Sequence, residues 1–310
     1  MMSRGVRHLM TVVLLSVLLL LFYLSLSTEP LSPLLRASPH SPSILNAQHV
    51  RQETDGKSNR YVSSTSKAKD SIKRAADDAA TIKELRESYL FPPSTEPYNL
   101  EEPSNINPSM GQAQAIDYIF KAKRDGFYLE CGGLDGEVRS NTLFFERYRG
   151  WRGLVIEADP ANFAIMKTKH RRAYTSPTCL ATTPYPSKVV FAQNSNRGHI
   201  YNVLTYDDAP AIGLVNVQCF PLYSYLLALN TTTVDYFSLD VEGAEYKVLE
   251  TIPWDKLDIK TLSVEYFHDA EGKVAIKQLL ESKGYDVYME VTDPNNLAND
   301  FIFVKRELMR

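Results

Sequence analysis

The chain has 310 residues, a formal net charge of -3, 44% hydrophobic and 23% charged residues, and Cys at only 3 positions. A near-neutral balance of this kind excludes a basic nucleic-acid-binding or membrane-surface protein, and no nucleic acid is expected among its partners. Composition is uneven along the chain, and roughly the last 200 residues carry the pattern of one well-buried domain.

Residues 9–26 are an almost unbroken run of Leu, Val and Met with Phe22 and Tyr23. At about 18 residues the run is near the lower limit for spanning a bilayer. Arg4 and Arg7 precede it and Glu29 follows, so the positive-inside bias keeps the tail 1–8 in the cytosol and sends the rest across. This predicts a signal anchor at 9–26 and a single-pass type II membrane protein, its main domain in the endoplasmic reticulum or Golgi lumen or outside the cell. A cleaved signal peptide is the alternative, with Ser25 and Ser27 as small residues near a cleavage site. The run exceeds the apolar core of about 7–15 residues usual for a signal peptide.

Residues 27–108 read as a luminal stem. The segment is rich in Ser and Pro and poor in large apolar residues, so it is expected to be mostly disordered. A solvated helix is expected near 67–90, where Ile72, Ala75, Ala79 and Ile82 fall at helical spacing and Asp70 lies four residues before Arg74. The Pro-rich stretch FPPSTEPYNLEEPSNINP ends that pattern, and a globular domain follows over 109–310.

Within it, short apolar runs alternate with segments of helical spacing. Strands are predicted at GFYLEC (126–131), GLVIEA (153–158), KVVFAQ (188–193), VDYFSLD (234–240) and IKTLSVEYF (259–267), with two closing strands at YDVYMEV (285–291) and DFIFVKR (300–306). Helices are predicted at 137–148, 162–170, 244–251 and 273–283. The alternation implies an α/β fold, a mostly parallel seven-stranded sheet with helices on both faces. Ligands of such sheets bind at the carboxyl ends of the strands.

Three constellations fall at those ends. Glu130, Gly132, Gly133 and Gly136 form a glycine turn after the first strand, with Asn141 and Thr142 just beyond it. The strict dinucleotide spacing G-x-G-x-x-G is absent, and a glycine turn alone is equally a structural bend. Glu157 ends the second strand roughly twenty residues on, where a carboxylate accepts both hydroxyls of a ribose. Asp159, before Pro160, reads as a helix cap. Glu130 repels a pyrophosphate, which shifts the expected ligand from a dinucleotide to S-adenosylmethionine. The third constellation is FSLDVEGAEYKVLETIPW, where Asp240 closes a strand, Glu242 and Gly243 turn, and Glu245 opens a helix. Capping of the helix dipole explains part of this acidity.

Together FYLECGGLDGE, GLVIEADP and YFSLDVEGAEYKVLE resemble the FkbM family of S-adenosylmethionine-dependent methyltransferases, over about residues 111–305. Ser-Asn-Thr after the glycine turn, PTCLAT, QCFPLYSYLLALNTTTVDYFSLD and the N-terminal anchor resemble a Star-like, membrane-anchored branch of that family. The resemblance implies a class I methyltransferase-like, Rossmann-like fold with S-adenosylmethionine as cofactor. It assigns Glu130, Gly132 and Gly136 to the first cofactor motif, Glu157 to the ribose, and Asp240 with Glu242 to the region of the methyl group. The family turn reads Asp-x-Gly-Ala-Asn-x-Gly; Leu134 stands here in place of the Asn, with Asp135 after it.

Two functions follow from the resemblance. One is a luminal methyltransferase acting on the oxygen of a hydroxyl-bearing acceptor such as a glycan. The other is a trafficking factor that assists export of transmembrane growth-factor precursors, with a transmembrane cargo protein as partner. For methyl transfer, a carboxylate or imidazole acting as general base is sought, and Asp240, Glu242 and His268 are the candidates. Gly133, Asp135 and Asn141 join the expected cofactor contacts. No His or Asp cluster completes a metal site around Asp240 and Glu242, so no metal is expected. Cys131 lies on a buried strand, whereas Cys179 and Cys219 are the expected disulfide pair in an oxidising lumen. Asn230-Thr231-Thr232 is an N-glycosylation sequon.

Overall fold

The structure, a computed structural model, describes residues 74–201 and 213–310. The expected tail, anchor and most of the stem lie outside those residues. No helix among the described residues is long and apolar enough to cross a membrane. The described residues fall in one compact unit, Ala68–Arg310.

In chain order the elements are α1 (Ala79–Ser88), α2 (Gln112–Ile119), β1 (Phe127–Cys131), β2 (Arg152–Ile156), α3 (Pro160–Thr168), β3 (Tyr174–Ser176), β4 (Cys179–Leu180), β5 (Ser187–Gln193), β6 (His199–Ile200) and β7 (Gly213–Phe220). They continue with α4 (Leu222–Ala228), β8 (Thr233–Leu239), α5 (Glu245–Glu250), β9 (Asp258–Glu265), α6 (Gly272–Ser282), β10 (Tyr285–Thr292) and β11 (Asn299–Lys305). The main sheet has seven strands in the order β10-β11-β9-β8-β1-β2-β3. Strands β3, β2, β1, β8 and β9 pair in parallel, while β11 runs antiparallel to both β9 and β10. Both faces of the central strands are buried, which is why they read as continuous apolar runs. Leu129, Leu154, Phe237 and Leu262 point into one core; Tyr128, Val155 and Tyr236 point into the other.

Three expectations need correction. The segment KVVFAQ is not a strand of the main sheet. As β5 it pairs antiparallel with β7 in a separate four-stranded sheet, β4-β7-β5-β6. The reason is visible in its alternation: Phe191 is buried while Lys188 and Val190 are exposed, the signature of a strand with only one covered face. The third parallel strand of the main sheet is instead β3, only three residues of mixed polarity. Cys179 on β4 and Cys219 on β7 face each other in register and form the disulfide.

The helix expected over 137–148 does not begin at the glycine turn. Residues 137–142 form turns, and a short helical segment from Leu143 widens into a π-helical turn, Phe145–Arg149, ending at Gly150 with φ of 71°. The cause is Glu130, whose carboxylate draws Ser140, Asn141 and Thr142 onto the strand end and so delays the helix.

The domain also begins before residue 109. Asp78 caps α1 by accepting from Ala80 N and Thr81 N. The helix is not a solvated stem: Leu85 is fully buried in the main core and Arg86 donates to the carbonyl of Ala228 at 3.0 Å. Beyond it Phe91 bridges to Thr175 beside β3, and the amides of Glu101 and Glu102 donate to Glu137 at 2.8 and 2.7 Å. The Pro-rich stretch therefore lies along the domain as an ordered strap. Leu85→Ala is expected to cost about 2–5 kcal/mol in urea unfolding, the loss typical of a buried leucine; a stem helix would show almost none.

Candidate cofactor and acceptor site

A cavity of about 390 Å³ opens where β1, β2, β8 and β9 end. Its floor is the glycine turn. Gly132 has φ of +85°, and a Cβ on it would sit 1.8 Å from the carbonyl oxygen of Asp240. Glycine is thus required by the close approach of β1 to β8 as well as by the turn. Gly132 N and Gly133 N both donate to the carbonyl of Ile156, which ties the turn to the end of β2.

The expected cofactor residues divide into two groups. Glu130, Gly132, Gly133, Asn141 and Glu157 line the cavity; Asp135 and Gly136 do not. Asp135 instead accepts from the amides of Glu137 and Val138 at 2.9 and 2.8 Å, and Lys169 lies 3.8 Å away, so it holds the turn from behind. Glu130 borders the cavity, but its carboxylate already accepts from Ser140 Oγ at 2.9 Å, Asn141 N at 2.6 Å and Thr142 Oγ1. Burial raises its pKa, and the buried Arg171 guanidinium works against that rise. Glu130 is therefore an organiser of the segment bearing Asn141.

Glu157 stands at the end of β2, only 6% exposed. Its two oxygens accept from Leu134 N and Asp159 N, each at 2.8 Å. Each oxygen keeps a lone pair for a ligand hydroxyl. Burial pushes its pKa from 4.5 up to about 7. Asp159 caps α3 through Ala161 N, as its place before Pro160 implied. Asn141 donates from Nδ2 to Ser238 Oγ at 3.0 Å, while its Oδ1 is buried without a partner among the described residues. An orphaned acceptor of this kind is rare in a native structure and marks a place for a ligand donor.

The opposite end of the cavity is acidic. Asp240 follows β8, and burial together with the carboxylates of Glu242, Asp300, Glu265 and Glu245 holds its pKa well above the usual range. Glu245 caps the turn before α5 by accepting from Val241 N at 2.7 Å and Gly243 N at 3.0 Å. Gly243, at φ +102°, passes so near the His268 carbonyl that a Cβ would lie 2.7 Å from it. That packing brings the loop after β9 against the loop after β8. His268 Nδ1 lies 2.8 Å from Glu242 Oε2 and 3.7 Å from Glu265 Oε1. The hydrogen bond to Glu242 raises the imidazole pKa. All three candidate general bases are thereby brought together in one cavity.

Three further cavity residues escaped the sequence reading: Glu265, Asp300 and Gln112. Glu265 ends β9, and an acid at a strand's carboxyl end is the signal that would have found it. Gln112 and Asp300 meet only because α2 packs beside β11, a contact across 188 residues that local pattern does not reveal. Cys131 is buried and free, its thiol pKa raised by burial. Asn230 is exposed at the end of α4.

A seven-stranded sheet with one reversed strand, and a cleft at its carboxyl ends with Glu157 on one side and Asp240, Glu242 and Glu265 on the other, has the form of a class I methyltransferase-like domain. Residues 130–287 match the Methyltransferase FkbM domain, and the chain belongs to that family. Its cofactor is S-adenosylmethionine, and the residues fit it: Glu157 offers acceptors for ribose hydroxyls and Asn141 an unpartnered buried oxygen. Among solved structures, the chain is similar to an FkbM methyltransferase from Methylobacillus flagellatus, with 12% identity over 61% of this chain and 50% of that one, TM-score 0.39. It thus spans half the length of that protein. It is also similar to fibrillarin from Aeropyrum pernix, solved with S-adenosyl-L-methionine, with 12% identity over 63% of this chain and 76% of that one, TM-score 0.37. The match to TrmK of M. capricolum, solved with S-adenosyl-homocysteine, has 8% identity over 62% and 67% of the two chains, TM-score 0.35. No curated protein matches this chain.

Proposed function

We propose that the chain is a membrane-anchored, luminal O-methyltransferase of the FkbM type whose acceptor is a hydroxyl-bearing molecule such as a glycan. The observation that carries this reading is the His268–Glu242 pair, which shares one cavity with Glu157 and Asn141. When bound, S-adenosylmethionine supplies an electrophilic methyl group. Glu157 would hold its ribose hydroxyls, and Asn141 Oδ1 would accept from a donor on the same ligand. With Nδ1–H donating to Glu242, His268 leaves Nε2 as a proton acceptor for the hydroxyl of the acceptor. Phe267 and Leu297, 52% and 46% exposed on the cavity rim, offer apolar surface to a sugar ring. The disulfide and the exposed sequon support a luminal domain, with residues 9–26 as the anchor.

The test is transfer of labelled methyl from S-adenosylmethionine to a panel of neutral glycans by the full-length chain, with cofactor binding measured in parallel by calorimetry. Label in a base-stable ether supports the reading. Saturable cofactor binding with no labelled glycan rejects the acceptor class.

A second reading has its own observation. Leu134 adopts φ of 49°, a left-handed conformation that suits the family's Asn better than Leu, and supplies no amide to the cavity. That favours a Star-like trafficking factor for transmembrane growth-factor precursors, in which the methyltransferase fold serves as a cargo-binding surface. It predicts no saturable binding of S-adenosylmethionine by the folded chain.

A further inference from the structure

Carboxyl groups crowd the acidic end of the cavity beyond what its hydrogen bonds engage. One carboxylate oxygen each from Asp240, Glu245 and Glu265 lies within 4.8 Å of the others. Glu245 and Glu265 are partly engaged, the first by Val241 N and Gly243 N, the second by Phe267 N at 2.7 Å. These bonds still leave lone pairs on the oxygens. The Asp240 carboxylate takes no hydrogen bond from any described residue. His268 is turned to Glu242 at 2.8 Å and stands 3.7 Å from Glu265.

A second observation is independent of the acids. Gln112 lines the same cavity, is only 4% exposed and donates from Nε2 to Asp300 Oδ2 at 2.9 Å, yet its Oε1 has no partner. A buried carbonyl oxygen left without a donor is costly, because it has given up its water without gaining a partner. It lines the same cavity as Asp240 and Glu265, and its partner Asp300 is one of the carboxylates that act on Asp240. The unpartnered oxygen calls for a donor, which an anionic ligand does not supply.

We propose that Asp240, Glu245 and Glu265 bind one divalent, oxygen-preferring cation of the Mg²⁺ or Mn²⁺ class, with Gln112 Oε1 and Asp300 accepting from its bound water. Hard cations hold oxygens at about 2.0–2.6 Å, so two ligands of one ion stand at most about 4–5 Å apart, a limit that the three carboxylates, within 4.8 Å of one another, meet. The site itself does not depend on the proposed reaction. Its use does rest on that reading: a cation there polarises the acceptor hydroxyl, and the released proton passes to His268.

The test is titration of the full-length chain with Mn²⁺, following loss of the free-ion electron paramagnetic resonance signal. One saturable Mn²⁺ per chain, displaced by excess Mg²⁺, is expected. Asp240→Asn is expected to lose affinity by more than about tenfold with an unchanged melting temperature. Glu265→Gln provides a second variant read by the same signal. No saturable binding by the folded chain, or binding undiminished in both variants, overturns the proposal. The signal needs neither acceptor nor methyl donor, so bound Mn²⁺ without S-adenosylmethionine binding rejects the methyltransferase reading and keeps the cation site; the reverse result rejects the site alone.

Discussion

Replacing Glu157 with Ala is expected to weaken S-adenosylmethionine binding by about 100-fold or more in calorimetric titration. Hydrogen bonds to a charged group contribute about 1.5–3 kcal/mol each, and two ribose hydroxyls are available to this carboxylate. The same side chain also holds Leu134 N and Asp159 N at 2.8 Å, so Glu157→Gln, which keeps one acceptor oxygen, is the milder control. A pH dependence follows. Burial raises the Glu157 pKa from 4.5 to about 7. The neutral form is thus favoured in the folded state, and the contribution of this group to stability falls as pH rises across that window. Ribose hydroxyls donate to the ionised form, so the affinity of the wild-type chain is expected to fall about tenfold between pH 8 and pH 6. Glu157→Gln removes that slope. Equal affinity at both pH values, unchanged in the Ala variant, would sink the assignment of Glu157 to the cofactor.

Much of this site was legible because the chain marks strand ends with acids. Glu157, Asp240 and Glu242 each follow a run with both faces buried, and such runs announce themselves without any knowledge of their neighbours. The glycine turn was legible as a turn, yet its chemistry was not. Glu130 reads as a cofactor contact until the structure shows three internal donors on it, a consequence of where Ser140 and Thr142 fold back. Asp135 likewise serves Glu137 and Val138 rather than the cavity. Strand β3 was missed because three residues, YTS, carry no periodicity. Strand β5 was placed in the wrong sheet because alternation identifies a strand but not its partner. The strap before residue 109 looked disordered by composition; its order comes from Glu137, Lys169 and Arg147 gripping its backbone and side chains, contacts formed only once the domain exists.

The largest effect on turnover is expected from His268. Once a labelled acceptor is in hand, His268→Ala should lower kcat by about 10²–10⁴-fold, the range of general-base contributions, and leave S-adenosylmethionine affinity unchanged. The competing bases differ in their surroundings. Glu242 Oε2 is occupied by the imidazole at 2.8 Å, and Asp240 stands among the carboxylates of Glu245 and Glu265. His268 alone has a ring nitrogen left free by its carboxylate partner, on a loop that Gly243 packs into place. Glu242→Gln keeps the hydrogen bond but removes the charge that orients and stabilises the protonated ring, so its effect on kcat should be smaller and in the same direction. His268→Gly supplies the decisive comparison, because free imidazole can enter the space left by the side chain. Rescue of turnover by imidazole, with no change in cofactor affinity, assigns the proton transfer to this ring. Full activity of His268→Ala would move the base to Asp240, and with it the balance of charge at the acidic end of the cavity.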